Sequence, residues 1–539
     1  MANPKVASFP APGARARSGE FDDQAAIDRS LTAEIVIALC GPMGTPLHEV
    51  AKTFKELLEG TDYGYDEVVI LTLSDEIRER SNLREEKSIV NLIEAGNSLR
   101  ERYGNAVLAR LAIKKITLSR ERVQIANEVY QKGLFDSDVP DADILLPRAT
   151  RRCCHVIDSI KHVDELRLLR SVYGDMLQVV GVYSPIELRI ERLERRKGPG
   201  DEIHKLIDRD SGEEVSHGQR VEDTFPQSDF FLRVDSTTDT HRQARVRRFL
   251  DLLLGAKIVT PTVNERAMYA AFSAARNSAC LSRQVGAAIT SGDGEVISTG
   301  WNDVPRAFGG LYGTADQNSS PDKDRRCWNM DGGKCFNDEE KTLIANALVD
   351  KLLAKELIDP ELRERVFNLV RHDSQLKSLI EFSRAVHAEM HALLSAGESN
   401  GGKIRGGKLF VTTYPCHSCA RHLVAAGVRE VYFLEPYRKS LATKLHADSI
   451  TEREGDIDKV RLMPFDGVAP SRFLKFFSAH PGGRKNSQGQ MQVRQASPVT
   501  AITLEAIPTL EALAVNALDS RGLNDGAVPI FSTNGKQGE

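Results

Sequence analysis

Four side chains stand out in this 539-residue chain for the chemistry their types and spacing allow: His387 and Glu389 in "VHAEMH", and Cys416 and Cys419 in "TTYPCHSCARHLV". One imidazole and two thiolates make a ligand set suited to zinc, and three protein ligands leave a fourth position for water. Bound zinc brings the pKa of water to about 7, so hydroxide is available at neutral pH. Glu389 is then free to take a proton from that water and hand it to a leaving nitrogen. In mid-helix, residues two apart point to different faces. The His387–Glu389 pair therefore fits the first turn of a helix, where both can look into one pocket. Cysteines at the start of the next helix gain thiolate character from its backbone N–H groups.

Other readings of these residues explain less. A redox C-x-x-C pair has no need of an upstream H-x-E. His391 follows His387 by four residues, but the zinc-protease helix reads H-E-x-x-H and this one reads H-A-E-M-H. A structural zinc normally takes four protein ligands, and no fourth is local. H-x-E followed by P-C-x-x-C is the arrangement used by zinc deaminases.

These residues need elements to hold them. "SRAVHAEMHALLSAG" reads as a helix ending at Gly397, "GGKLFVTTYPC" as a strand, "CARHLVAAG" as a helix and "VREVYFLEPY" as a second strand. Upstream, "PTVNERAMYAAFSAARNSA" is an amphipathic helix, and "RQVGAAITSGDGEVISTGWN" a hairpin turning at Asp293-Gly294. Residues 303–380 are a long charged insertion with some helix. Before all this, "IVIALCG", "DEVVILTLSDEI", "CHVIDSI", "QVVGVY" and "FFLRVD" are apolar runs separated by helix-length polar segments, which predicts a parallel sheet with helices on both faces. The expected organisation is α/β throughout: a loose tail at 1–30, a first domain at 31–256, a second at 257–480, and a linker with a marginal tail at 481–539.

Composition limits the partners. A net charge of −4, with 27% charged and 41% hydrophobic residues, is ordinary for a soluble globular chain and gives no bulk attraction to nucleic acid or an anionic membrane. No apolar run has the length of a membrane span, and the N-terminus lacks an apolar signal core. Eight cysteines in so long a chain suit a reducing, cytoplasmic setting.

"SACLSRQVGAAITSGDGEVISTGWNDVPRAFG", "RAVHAEMHALLSAG" and "LFVTTYPCHSCARHLVAAGVREVYFLEPY" together resemble the deoxycytidylate (dCMP) deaminase family over residues 262–450. The wider arrangement over about 33–480, a P-loop-kinase-like domain followed by a zinc-dependent cytidine-deaminase-like α/β/α domain, resembles the bacterial anti-phage deoxycytidylate deaminases. The resemblance implies Zn2+ on His387, Cys416 and Cys419. It also implies conversion of dCTP and dCMP to deoxyuridine nucleotides, dCTP depletion in phage defence, a homo-oligomer, and control by a nucleotide effector or an inhibitory small RNA. In that family the segment matching Gly300-Trp301-Asn302 contacts nucleotide; this chain has Trp301 where a tyrosine is usual, and its insertion after Arg306 is unusually long. Asn302 would reach the sugar, or simply form a turn. Arg438, Lys439, Lys444 and His446 would hold phosphates, or form a solvated loop. A base in RNA or single-stranded DNA is the second substrate reading, and a nucleotide kinase with a regulatory deaminase domain the third.

The first domain opens on Gly41 and Gly44, glycines that let backbone amides approach a phosphate at a helix N-terminus. A working phosphate loop ends G-K-[ST], whereas the matching positions here are Pro46, Leu47 and His48, so both chemical residues are missing. Asp158 ends a strand like the acid that would face magnesium. A regulatory site or a structural platform fits these residues better than phosphoryl transfer. Cys280, Cys327 and Cys335 remain: family relatives sometimes carry a second, structural zinc in this region. With His372 the nearest histidine and "CWNMDGGKC" spaced too widely for a zinc knuckle, buried free thiols fit better.

Overall fold

The computed structural model describes residues 31–83, 88–134, 152–196, 202–203, 220–234, 239–314, 324–330, 332–435, 440–479, 483–491, 496–504 and 506–523. The 1–30 tail and the pair Arg438 and Lys439 lie outside them. The molecule is mixed α/β with two parallel-rich sheets.

The first sheet has the order β12-β5-β4-β1-β3-β2. Its centre is β1 (Ile35–Cys40, "IVIALC"), buried at every position, as a strand covered by helices on both faces must be. Parallel partners are β3 (Cys153–Ile160) and β4 (Leu177–Tyr183), flanked by β2 (Glu67–Thr72) and β5 (Phe230–Arg233). Helix α1 (Leu47–Leu58) follows β1 and buries Val50, Phe54 and Leu57 at helical spacing. On the opposite face lie α2 (Val107–Leu134) and α3 (Val163–Tyr173), the latter opened by a reciprocal cap between His162 and Glu165.

The second sheet runs β10-β11-β9-β8-β6-β7. Strands β6 (Gly286–Thr290) and β7 (Val296–Trp301) form the antiparallel hairpin expected at Asp293-Gly294, and β6 also pairs antiparallel with β8 (Lys408–Thr413). Beyond β8 the sheet is parallel: β9 (Glu430–Glu435), β11 (Val460–Pro464) and the short β10 (Ile450–Thr451). Helix α4 (Val263–Ala275), capped reciprocally by Thr262 and Glu265, packs on β6 and carries buried Ala267, Met268 and Ala271 into the core cluster that continues beneath the first sheet. Among the described residues the insertion carries the α-helices α5 (Phe336–Ala354) and α6 (Arg363–His372).

After the second sheet the chain returns to the first. Only two residues separate β11 from β12 (Gly467–Val468), which pairs antiparallel with Phe230 and Phe231 of β5. Buried Glu265 fixes this crossing: it accepts from the Val468 N–H at 2.9 Å and pairs with Arg248 at 2.7 Å. The 481–539 stretch is not only linker and marginal tail. Ser497 and Val499 donate to the carbonyls of Leu254 and Leu253, and Thr32 donates to that of Ile502. Helix α10 (Ile507–Asp519) then lies against α2 and α3. Its buried Glu511 shares Arg120 with Glu34 at 2.5 and 2.7 Å. The apolar pattern of "AITLEAIPTLEALAVNALD" supplies the burial that the composition of the preceding linker hides. Among the described residues, no helix is long and apolar enough to cross a membrane.

Candidate metal centre

Strand β8 ends at Thr413, and Tyr414 continues the pairing by donating to the Glu435 carbonyl at 2.9 Å. Pro415 and Cys416 then turn the chain into helix α8 (His417–Ala426), with Cys416 as its N-cap. The Cys419 N–H donates to Cys416 Sγ at 3.4 Å, so the helix start faces a thiolate rather than a hydroxyl. Helix α7 (Ala388–Asn400) begins next to it with His387 as N-cap and Glu389 in its first turn. It packs on β7 at Gly300, where a Cβ would lie 2.3 Å from the Ala392 nitrogen and 2.5 Å from the Ala388 carbonyl oxygen; only glycine permits that approach.

His387 Nδ1 lies 3.4 Å from Cys416 Sγ and 3.3 Å from Cys419 Sγ. A tetrahedral zinc with ordinary Zn–N and Zn–S bonds would separate nitrogen and sulfur by about 3.5 Å. The donors therefore fit that metal in type and spacing. They are the one such group of three among the described residues.

Between themselves the three groups already divide their protons. Hydrogen bonding to the Cys419 thiol and then to His387 pulls Cys416 down to about 4, despite burial. Hydrogen bonding to Cys416 raises His387 to about 9, and the same thiolate neighbour drives Cys419 well above the usual thiol range. Glu389 is 4% exposed, and burial raises its carboxyl pKa against the opposing pull of His387. Such a carboxyl holds a proton more readily than a solvated one.

His391, one turn beyond His387, is no ligand here. Its Nδ1 accepts from the Trp301 N–H at 3.1 Å, and its ring meets the indole edge-on at 4.6 Å. That bond leaves Nε2 as the protonated nitrogen of the neutral ring. The contact ties the end of β7 to the helix bearing His387 and Glu389, a role signalled in the sequence by the i+4 spacing alone.

Asn302 is tied into the backbone around it. Its Oδ1 accepts from Val285 N–H at 2.7 Å and its Nδ2 donates to the Arg283 carbonyl at 2.9 Å, so the amide holds the chain entering β6. Arg283, which the sequence reading did not single out, thereby comes to pair with Glu435 at 3.2 Å, opposite Thr413 at the end of β8. Lys444 is exposed on a short helix α9 (Ala442–Leu445), and His446, half-buried, follows as its C-cap. That segment is latched to the cysteine turn by Ser440, whose hydroxyl donates to the Pro415 carbonyl at 2.8 Å.

Gly41 and Gly44 lie in the turn after β1 and Asp158 in β3, and neighbouring side chains of the first unit bond this turn. Lys161 Nζ donates to the Gly41 carbonyl at 2.8 Å, and Arg189 Nε to that of Met43 at 2.7 Å. Asp158 Oδ2 is 3.2 Å from His48 Nδ1. The glycines serve packing: a Cβ on Gly41 would be 2.4 Å from the Val182 carbonyl oxygen, and one on Gly44, at φ +82°, 2.7 Å from that of Arg189. Cys280, Cys327 and Cys335 are half-buried rather than buried, and line one cleft with Arg384 and Asp303, beside the segment leading to His387. They do not form a metal-spaced group.

Comparison with known proteins agrees with this centre. Residues 261–435 match the family described as the cytidine and deoxycytidylate deaminase zinc-binding region. Deoxycytidylate deaminase of Enterobacteria phage T2 is 28% identical over 170 residues, which are 32% of this chain and 78% of that one. ComE operon protein 2 of Bacillus subtilis is 33% identical over 81 residues, 15% of this chain and 40% of that one. A UPF0200 protein of Saccharolobus islandicus is 25% identical over 210 residues, 39% of this chain and 88% of that one. Among solved structures, the dCMP deaminase of cyanophage S-TIM5 in complex with dCMP and dUMP covers 38% of this chain and 99% of its own, at 20% identity and a TM-score of 0.22. His387, Cys416 and Cys419 all fall inside the matched region, so the three donors that the fold brings together lie where this chain is similar to the cytidine and deoxycytidylate deaminase zinc-binding region.

Proposed function

We propose that the chain hydrolyses the C4 amino group of free deoxycytidine nucleotides, dCMP or dCTP, giving the deoxyuridine nucleotide and ammonia. The observation that carries this reading is the buried Glu389 carboxyl at the helix end that also presents His387 to Cys416 and Cys419. Zinc bound there supplies a Lewis acid that lowers the pKa of a water in its open position. Glu389 accepts a proton as the C4–O bond forms, and returns one to the nitrogen as the C–N bond breaks. Its burial keeps that proton within the site. Trp301, which meets His391 edge-on one helical turn beyond His387, supplies an apolar surface for the base in this reading. In this reading the phosphates are met by Lys444 and His446, on the segment that Ser440 ties to the cysteine turn, with Arg438 and Lys439 in the same stretch of the sequence.

In this reading the first unit, P-loop-kinase-like with a self-satisfied loop, governs control or assembly through a nucleotide effector or an inhibitory small RNA. The cellular role is depletion of dCTP during phage infection. The test is direct: purified chain is incubated separately with dCMP, dCTP, CMP, CTP and single-stranded DNA, and ammonia and uracil product are followed. Turnover on free deoxynucleotides that is lost in Glu389→Gln supports the reading. Product on single-stranded DNA alone replaces it with the nucleic-acid substrate.

A further inference from the structure

Helix α5 of the insertion is apolar on two opposite sides. Its inner side faces α6: Lys341, Ala345 and Val349 are buried, and Arg371 and Arg363 of α6 reach Asp338 at 2.9 Å and Asp350 at 3.0 Å. The outer side presents Leu343, Ile344 and Leu348 at 55%, 39% and 44% exposure, with Ala347 also exposed between them. Glu340 and Lys351 are the exposed charges at the two ends of this seam, and neither makes an ion pair among the described residues. A helix face left in this state is unfinished packing.

The seam is complementary to itself. Positions 340 and 351, 343 and 348, and 344 and 347 are each symmetric about the bond between residues 345 and 346. A second copy of α5 laid antiparallel across a two-fold axis through that bond sets each Glu340 against the partner copy's opposite charge, each Leu343 against a leucine, and Ile344 against the small alanine. An isologous contact demands this pairing of unlike positions. The acidic end is the helix N-terminus and the basic end lies toward its C-terminus, so the charges suit both helix dipoles as well. Over 340–351 the seam is about 17 Å long. Nucleic acid would meet one lysine and one glutamate there, with no cationic stripe.

We propose that this face of α5 is the docking surface for a second copy of the chain, paired antiparallel through its Leu343–Leu348 seam. The inference stands apart from the deamination reading. A seam this short gives a reversible dimer whose population follows concentration.

The experiment uses the full chain in sedimentation velocity over a range of concentrations. Wild type should show a species of twice 59.6 kDa, or a larger assembly built on that pair. E340K and K351E, each setting like charges against each other, should weaken that association about tenfold, and the E340K/K351E double variant should recover it to within about threefold. Leu343→Asp should abolish it. All these positions are exposed, so circular dichroism should be unchanged and will separate lost association from lost fold. A chain that stays monomeric throughout overturns the proposal. So does an assembly indifferent to the single reversals, or a double variant as weak as the singles, and either result assigns the seam to another occupant. Deamination measured alongside reports on the active site independently, since no seam residue belongs to it.

Discussion

The two sheets carry comparable turns at the carboxyl ends of parallel strands, where open α/β sheets usually bind ligands. One follows β1 at Gly41–Leu47 with Asp158 nearby; the other follows β8 at Tyr414–Cys416. In the second, an imidazole and two thiols converge with distances that suit a metal. In the first, Lys161, Arg189 and His48 satisfy the loop carbonyls and Asp158 from within the chain. The difference shows that a position in a fold is an opportunity and not a site. What makes a site is a set of donors that one metal can replace as a common partner, and the second turn has such a set.

The largest effects should come from the second turn. Glu389→Gln removes the proton carrier while leaving all three ligands, so kcat should fall by at least about a thousandfold. Zinc content by elemental analysis should stay at the wild-type level. Cys419→Ala should lose both zinc and activity. Near-normal turnover in the Glu389 variant would mean that another group moves the proton.

Next in size is the return of the chain to the first unit. Glu511→Ala leaves Arg120 largely buried with Glu34 alone, and should destabilise the protein by about 3 kcal/mol in denaturant unfolding. A fragment ending near residue 255 lacks both β12 and α10, so it is the wrong object for testing nucleotide hydrolysis; the full chain is the right one. Full-length protein should hydrolyse no ATP above background. Hydrolysis that disappears in Asp158→Asn would show that the closed loop opens to a nucleotide.

Gly44→Ala sharpens the contrast between the turns. Its φ of +82° and the 2.7 Å approach to the Arg189 carbonyl oxygen make the methyl group a steric and backbone cost of about 1–3 kcal/mol. Thermal stability should drop while kcat on deoxycytidine nucleotides at a permissive temperature changes less than about twofold. A large change in kcat without lost stability would instead reveal coupling between the turns.

Much of this was legible in the residues. The period-two and fully apolar runs of "IVIALC" and "KLFVTT" mark central strands because burial on both faces leaves no choice of side chain. H-x-E and C-x-x-C mark their own helix starts, because only there do these spacings converge. Contacts that depend on distant pairing leave no local pattern in the sequence. Nothing local in the sequence shows that the Asn302 amide bonds Val285 and Arg283. Gly467–Val468 is too short a strand to have any periodicity, and only its partner β5 defines it. Glu511 in an apolar helix reads as a solvated charge until Arg120, nearly four hundred residues earlier, supplies its counterion. Arg283 had no motif to flag it.

The smallest expected effect lies in the strap between the two regions. Beyond β12, Arg472 and Lys475 reach back to Asp175 at 3.3 and 2.6 Å. Burial alone would raise the Asp175 carboxyl pKa, but hydrogen bonds and charge from Lys475 and Arg472 outweigh it and hold the group below the usual carboxylate range. A carboxyl with a depressed folded pKa contributes stability that is complete above its unfolded value, near 4, and is lost as pH falls through the folded value. The Asp175 side chain is 45% exposed, so solvent screens the pair and its worth is about 0.5 kcal/mol. Asp175→Asn should therefore melt slightly below wild type from pH 7 to 5, and the gap should close as pH falls below about 4. Raising salt at pH 7 should narrow it too. A gap independent of both pH and salt would assign the strap's hold to Arg472 with Asp229, and to the apolar packing of Phe476, rather than to charge on Asp175.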